Sequence, residues 1–243
     1  MKVFVCSDVH GNARALQAVL AVYREERARG FLFLGDCVGY GAHPGTCLDI
    51  LFNLPHARLI LGNHDAALLD PRQGGDLNDL AAEAIDWTIS TLKGRYDAAM
   101  RRRFVMQYKN VRYEAVHASP HHPDEWTYIL SALEAEQAFC ARSFGLCFVG
   151  HTHIPALYAF GAGETALHDK VPFRLQPGMR YIINPGSVGQ PRDGDPRSAC
   201  CIFDTDEGTI TLRRCEYNVA AEAQDIINAG LPRYLGQRLL HGA

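Results

Sequence analysis

The chain has 243 residues, of which 47% are hydrophobic, and a formal net charge of −3. That length supports one sizeable α/β domain or two small ones, and the apolar fraction supports a real core. The slight acidity excludes the strong basic excess of a general nucleic-acid binder, and no stretch approaches the roughly 20 apolar residues of a membrane span.

In chain order, KVFVC (2–6) reads as a buried strand. Apolar residues at helical spacing (Ala15, Leu16, Val19, Leu20, Tyr23) predict a helix from Asn12 to about Arg29, closed by Gly30. FLFLG (31–35) is a second strand, 43–54 a second helix ended by Pro55, and ARLILG (57–62) a third strand. This β-α-β-α-β order with wholly apolar strands predicts a sheet buried between helical layers. Residues 76–99 read as one helix. FVMQYK (104–109) and YEAVH (113–117) read as a hairpin around Asn110, and 131–143 as a helix. LCFVG (146–150), PALYAF (155–160), RYIIN (180–184), ACCIFD (199–204) and TITLRRCEY (209–217) read as strands before a last helix from about Ala220. No linker-like stretch divides the chain, so the strand-rich second half predicts a second sheet packed on the first.

The opening MKVFVCSDVHGN is too short and too weakly basic for a signal peptide. None of the eight cysteines forms a C-x-x-C pair, which fits buried free thiols in a reducing, cytoplasmic setting. The run Arg101-Arg102-Arg103 reads as a solvated helix end.

The polar residues that carry chemistry collect where apolar strands end. KVFVC runs into Asp8 and His10, FLFLG into Asp36, ARLILG into Asn63, His64 and Asp65, YEAV into His117, and LCFVG into His151 and His153. Carboxyl ends of strands in an open α/β sheet converge on one crevice. Carboxylate, imidazole and amide oxygen together suit Mn, Fe, Zn or Ni. Side chains at i and i+2 of extended backbone face the same way, so Asp8 with His10, and His151 with His153, are each expected to grip one site. So many donors exceed the needs of one ion and suit two ions sharing a carboxylate, which typically lie about 3.5–4 Å apart.

Together these blocks resemble the calcineurin-like metallophosphoesterases: D-x-H (Asp8, His10), G-D (Gly35, Asp36), G-N-H-D (Gly62 to Asp65), a lone His after a strand (His117) and G-H-x-H (Gly150 to His153). SDVHGN, GDCVGYG, HTHIP and NPGSVGQPRDGDPR (184–197) resemble the small YfcE-like phosphodiesterase branch, and the resemblance covers nearly the whole chain. It implies a single domain over 1–243 of α/β class, a four-layer αββα sandwich with two mixed β-sheets flanked by helices. It implies that Asp8, His10, Asp36 and His153 bind one divalent ion and that Asp36, Asn63, His117 and His151 bind a second, with Asp36 bridging. Manganese is the first choice, with iron, zinc or nickel as alternatives. The implied reaction is phosphodiester hydrolysis by a metal-bridging hydroxide, with His64 left free to protonate or stabilise the leaving oxygen. The alternatives are a phosphomonoesterase or dinucleoside polyphosphate hydrolase on the same metals, or a non-catalytic protein-interaction scaffold such as the retromer subunit of this fold. The intact His64 and ligand set disfavour the scaffold. The implied partner is a small phosphate ester, nucleotides among the candidates, with no membrane. The branch includes homo-oligomers, so oligomeric state stays open.

Departures from the wider superfamily are informative. Gly39-Tyr40 stand where protein phosphatases carry an Asp-Arg pair, and Asp65 stands where they carry Glu. The phosphate-gripping Arg is therefore missing there, and Arg192 is a candidate to supply charge from the second half, a surface turn residue being the alternative. Asp65 is expected to orient a neighbour or cap the next segment. Asn12 is expected to cap the first helix, whose N-terminus is also a candidate phosphate contact. His121 and His122 are candidates to rim the pocket. Segment 66–103 is a candidate wall or lid.

Overall fold

Alternation along the first strand, β1 (Lys2–Cys6), sends Val3 and Val5 to one face and Phe4 and Cys6 to the other, and all four are buried. A strand buried on both faces needs a layer on each side. In the computed structural model, which describes residues 1–168 and 172–243, those layers are a helical one and a second sheet.

The first sheet has seven strands. Its parallel half is β1, β2 (Gly30–Phe33), β3 (Ala57–Ile60) and β4 (Phe104–Val105). Antiparallel strands β12 (Ser198–Asp204), β13 (Thr209–Cys215) and β10 (Phe173–Arg174) extend it from β1. The second sheet has six strands, in the order β5 (Gln107–Lys109), β6 (Glu114–Val116), β7 (Leu146–Phe148), β11 (Arg180–Asn184), β8 (Ala156–Gly161) and β9 (Glu164–His168). There β6, β7 and β11 run parallel and the outer pairs antiparallel, so both sheets are mixed.

Three apolar layers hold the stack together. Val5, Leu32 and Ile60 meet Ala115, Phe148 and Ile183 between the sheets. Phe4, Phe31 and Phe33 pack outward on Leu16 and Val19 of α1 (Ala13–Glu25) and Leu48 and Leu51 of α2 (Pro44–Asn53). Val116, Cys147 and Ile182 pack outward on Ala135, Ala138 and Phe139 of α6 (Ala132–Ala141). The expected αββα sandwich is therefore observed. Among the described residues no helix is long and apolar enough to cross a membrane.

Several expected boundaries move. The helix expected over 76–99 is two, α4 (Asp79–Leu92) and α5 (Asp97–Arg103), broken where Lys93 and Gly94 take positive φ. The run 104–109 divides at Met106: β4 pairs with β3 in the first sheet and β5 with β6 in the second, so only its latter half forms the expected hairpin. Residues 63–69 form a helix, α3 (Asn63–Leu69), too short to show a period. Strands β9 and β10 also escape the sequence pattern, being mostly exposed. The last helix is two, α7 (Val219–Asn228) and α8 (Arg233–Leu239), separated by Gly230 at φ +79° and Pro232. The first helix ends at Glu25, Arg27 just beyond it takes a φ of +50°, and Gly30 opens β2.

Phe148 sits fully buried between the sheets, its ring 5.7 Å from those of both Tyr113 and Phe203. Phe148→Ala is expected to destabilise metal-free protein by about 3–5 kcal/mol, read from urea unfolding. A loss below about 1 kcal/mol would show that the inter-sheet layer is not the main core.

Candidate metal centre

Strands β1, β2 and β3 of one sheet and β6 and β7 of the other end at one edge of the sandwich, and hydrogen bonds tie those ends together. The His151 N–H donates to the Asp8 carboxylate at 3.2 Å, and the Gly150 N–H to the His117 carbonyl at 2.7 Å. Asp8, His10, Asp36, Asn63, His64, His117, His151 and His153 all converge there, each 5% exposed or less.

The convergence does not come from strand alternation. Asp8, His10, Asp36, His151 and His153 all have positive φ, so each motif is a left-handed turn just beyond its strand and not the extended i, i+2 pair expected. Such backbone costs a non-glycine residue about 1–2 kcal/mol. Of the twelve non-glycine residues with positive φ among those described, seven surround this centre, with Tyr40 and Trp126 completing the set. Strain concentrated at one place marks a functional site. Gly62 permits a close approach of two turns, since a Cβ there would lie 2.1 Å from Asp36 Oδ1.

Backbone carbonyls set the histidine tautomers. Nδ1 of His10 lies 2.9 Å from the Val38 carbonyl, Nδ1 of His117 2.8 Å from that of Leu34, and Nδ1 of His153 2.6 Å from that of Gln190. A carbonyl only accepts, so each Nδ1 carries a proton, and in the neutral rings of His10 and His153 this leaves an Nε2 lone pair facing inward. His10 Nε2 and His153 Nε2 then face each other at 3.0 Å, with Asp8 Oδ1 3.5 Å from His153 Nε2. No hydrogen bond joins two lone pairs. Burial also pushes both imidazoles well below their usual range, so protonation is disfavoured.

His117 heads a second group. Its Nε2 lies 3.2 Å from Asn63 Oδ1, 3.2 Å from His151 Nδ1 and 3.4 Å from Asp36 Oδ2. Burial pushes His117 down, but the Asp36 carboxylate outweighs it and lifts the imidazole to about 9. Burial likewise pushes Asp36 up, but His117 and His64 overcome it and hold Asp36 below the ordinary carboxylate range. Burial raises Asp8 to about 7. The first group is thus a set of inward lone pairs and a carboxylate that lacks a positive charge; in the second the His117 imidazolium supplies that charge and its Nε2 proton would give way to a cation, while buried His151 Nε2 has no partner among the described residues. The donor set fits divalent cations, and the sets Asp8–His10–His153 and Asp36–His117–His151 each place their donors within 4.8 Å of one another.

His64 stands apart. Although it also lies within 4.8 Å of His10 and Asp36 donors, its buried Nδ1 has no partner to set the tautomer. Burial lowers its imidazole to about 4. Its backbone N–H donates to Asp36 Oδ1 at 2.9 Å, and its ring packs on Tyr40, centroids 4.6 Å apart.

A cavity of about 230 Å³ opens above the centre, lined in part by His64, His151, His153 and Arg192. Arg192 therefore faces the site, with its buried Nε unpartnered among the described residues and its Nη2 on Gln190 Oε1 at 2.9 Å. Gly74, Asp76, Leu77, Asn78 and Ala81 of segment 66–103 form part of its wall. Asn12 does not line the cavity. Its Oδ1 caps α1 through the Ala15 N–H at 2.9 Å, and its amide donates to the Gly189 carbonyl and the Tyr217 hydroxyl, which uses up its polar groups. His121 does not line it either: the ring is exposed against His122, while Trp126 and Tyr128 further along the same loop reach the cavity. Sequence reading missed Tyr40, Trp126 and Tyr128, because aromatic residues in loops carry no periodic signal.

The comparisons with known proteins agree. Residues 1–208 match the calcineurin-like phosphoesterase superfamily domain. The chain belongs to that superfamily. The match implies a metal-dependent phosphoesterase. An uncharacterized protein of Methanocaldococcus jannaschii is 35% identical over 98% of this chain and 97% of its own. A metallophosphoesterase from Sphaerobacter thermophilus is 36% identical with a TM-score of 0.84, covering 100% of this chain and 99% of that one. A hypothetical protein from Pyrococcus horikoshii OT3, 19% identical with a TM-score of 0.80 over 100% and 98% of the two chains, shares the fold.

Asp65 holds the superfamily motif in place without entering the cavity. Its carboxylate accepts the N–H groups of Asp36 at 2.8 Å, Cys37 at 2.9 Å and Gly62 at 3.2 Å, joining the turns after β2 and β3. Asp65→Asn turns an amide NH2 toward those donors. The expected loss is about 1.5–3 kcal/mol of folding stability with weaker metal uptake, read by denaturant unfolding and metal titration. Unchanged stability would deny Asp65 this role.

Proposed function

We propose that this protein is a phosphodiesterase working with two divalent cations, manganese first among them. One observation carries the reading: Asp36 Oδ2 lies 3.6 Å from His10 Nε2 and 3.4 Å from His117 Nε2, so a single carboxylate oxygen adjoins both donor groups. Asp8, His10 and His153 would hold one ion, Asn63, His117 and His151 the other, and Asp36 both. When bound, such ions lower the pKa of water and neutralise charge on phosphoryl oxygens.

The chain's own residues supply the rest. His64 sits beside Asp36 at the cavity and is positioned to hold or donate a proton at the leaving oxygen. An anionic ester next to the ring opposes the burial that keeps it neutral. Arg192 is the one Lys or Arg among the described residues lining the cavity. A single fixed cation supports a diester, with one negative charge, over a monoester dianion. The eight free cysteines support a reducing, cytoplasmic setting.

Protein stripped with EDTA is expected to be inactive on bis-p-nitrophenyl phosphate and to regain turnover with Mn²⁺. His64→Ala should lower kcat by about 10²–10⁴ at unchanged manganese content measured by atomic emission. Folded, manganese-loaded wild type that leaves this diester intact would sink the proposal. Arg192→Met is expected to raise KM about tenfold while kcat changes less, since the residue binds the ester in ground and transition states alike. An unchanged KM would remove Arg192 from the substrate site.

A further inference from the structure

The cavity has two unlike walls. On one, the Arg192 guanidinium lies 5.9 Å from the centroid of the Tyr40 ring, which itself packs on His10 and His64 above the metal-ligand floor. This wall carries the positive charge inward, toward the reacting phosphate. The other wall is a clasp between two loops: Trp126 Nε1 donates to the Gln73 carbonyl at 2.9 Å. Gly75 lies so close that a Cβ would meet Trp126 Cδ1 at 2.8 Å, and its φ of +70° suits glycine. Asp76, next to Gly75, and Glu125, next to Trp126, both line the cavity where the clasp closes. Both are exposed, so their charges stand at its mouth.

We propose that this mouth is a charge gate: it admits esters with a single phosphate and a neutral or cationic outer arm, and rejects substrates that carry further phosphates. The inference rests on the phosphodiesterase reading and names its substrate class. With the reacting phosphate between the floor and Arg192, the outer arm passes Asp76 and Glu125. A neutral arm passes the two carboxylates with no charge for them to oppose. A polyphosphate arm sets anion against carboxylate, a repulsion between exposed charges that is felt most at low salt. The volume agrees, since about 230 Å³ is below the roughly 300–1,000 Å³ of pockets that enclose a drug-sized ligand, so an outer arm must lie along the mouth.

The experiment compares p-nitrophenyl thymidine 5′-phosphate, a single diester, with diadenosine tetraphosphate, using manganese-loaded wild type and the double variant Asp76→Asn/Glu125→Gln. Turnover and calorimetric binding are both read, so the gate is tested even in a protein that cleaves neither compound. Wild type is expected to favour the diester. The double variant is expected to hold the diester values within about twofold and to improve kcat/KM and Kd for the tetraphosphate about tenfold at low salt, a gain that shrinks at 0.5 M NaCl. A wild type that binds the tetraphosphate as tightly as the diester, or a double variant that leaves their ratio unchanged, would overturn the gate. Loss of diester cleavage with the binding ratio intact would fault the phosphodiesterase reading and leave the gate standing.

Discussion

The Nε2 lone pairs of His10 and His153 face each other across 3.0 Å, and their surroundings keep them there. Each ring is held from behind by a carbonyl, Val38 for one and Gln190 for the other, so neither escapes by changing tautomer. Burial opposes protonation of either ring. A cation relieves this arrangement, and a well-packed core pays for it in the meantime. The demand extends to Asp36, which joins this pair to the group around His117, and to Asp65, which holds the Asp36 turn by its backbone. The sandwich thus acts as a rigid clamp that keeps electron-rich groups closer together than they would stay alone.

Two sheets are needed for that clamp. Asp8, Asp36 and Asn63 follow β1, β2 and β3, whereas His117 and His151 follow β6 and β7. The inter-sheet layer around Phe148 sets the distance between these rows. Cross-sheet bonds from the His151 N–H to Asp8 and from His117 Nδ1 to the Leu34 carbonyl then set the register. Movement of one sheet on the other would open both donor groups at once, so packing far from the donors would govern how tightly they hold a cation.

How much of this was legible in the sequence divides along the same line. The strands that carry the donors are short apolar runs ending in Asp, Asn or His, and composition marks each one. The layer order follows from wholly apolar strands that alternate with amphipathic helices. The local geometry was not legible. Asp8 with His10, and His151 with His153, converge through left-handed turns, which spacing in an extended strand does not describe. Nor did spacing separate Asn12 and His121 from Arg192. All three lie near motif residues in sequence, but Asn12 is consumed by capping and His121 points outward, while the turn after β11 carries Arg192 back over the cavity.

The walls were hardest to read because their chemistry is assembled from loops. Trp126 belongs to a loop between β6 and α6 and Gly75 to one between α3 and α4, so their contact joins segments far apart in sequence. Their contact is paid in backbone strain at Trp126, whose φ is +54°, and it leaves Asp76 and Glu125 on one rim. The floor, by contrast, is built from strand ends that the two sheets hold fixed. A loop clasp can exchange its side chains without moving that floor, because its hydrogen bond runs from the Trp126 ring to a backbone carbonyl and requires no particular residue at position 76 or 125. On the proposed reading, metal binding and the choice of outer arm are therefore separable in this fold: the sheets carry the first, and two short loops the second.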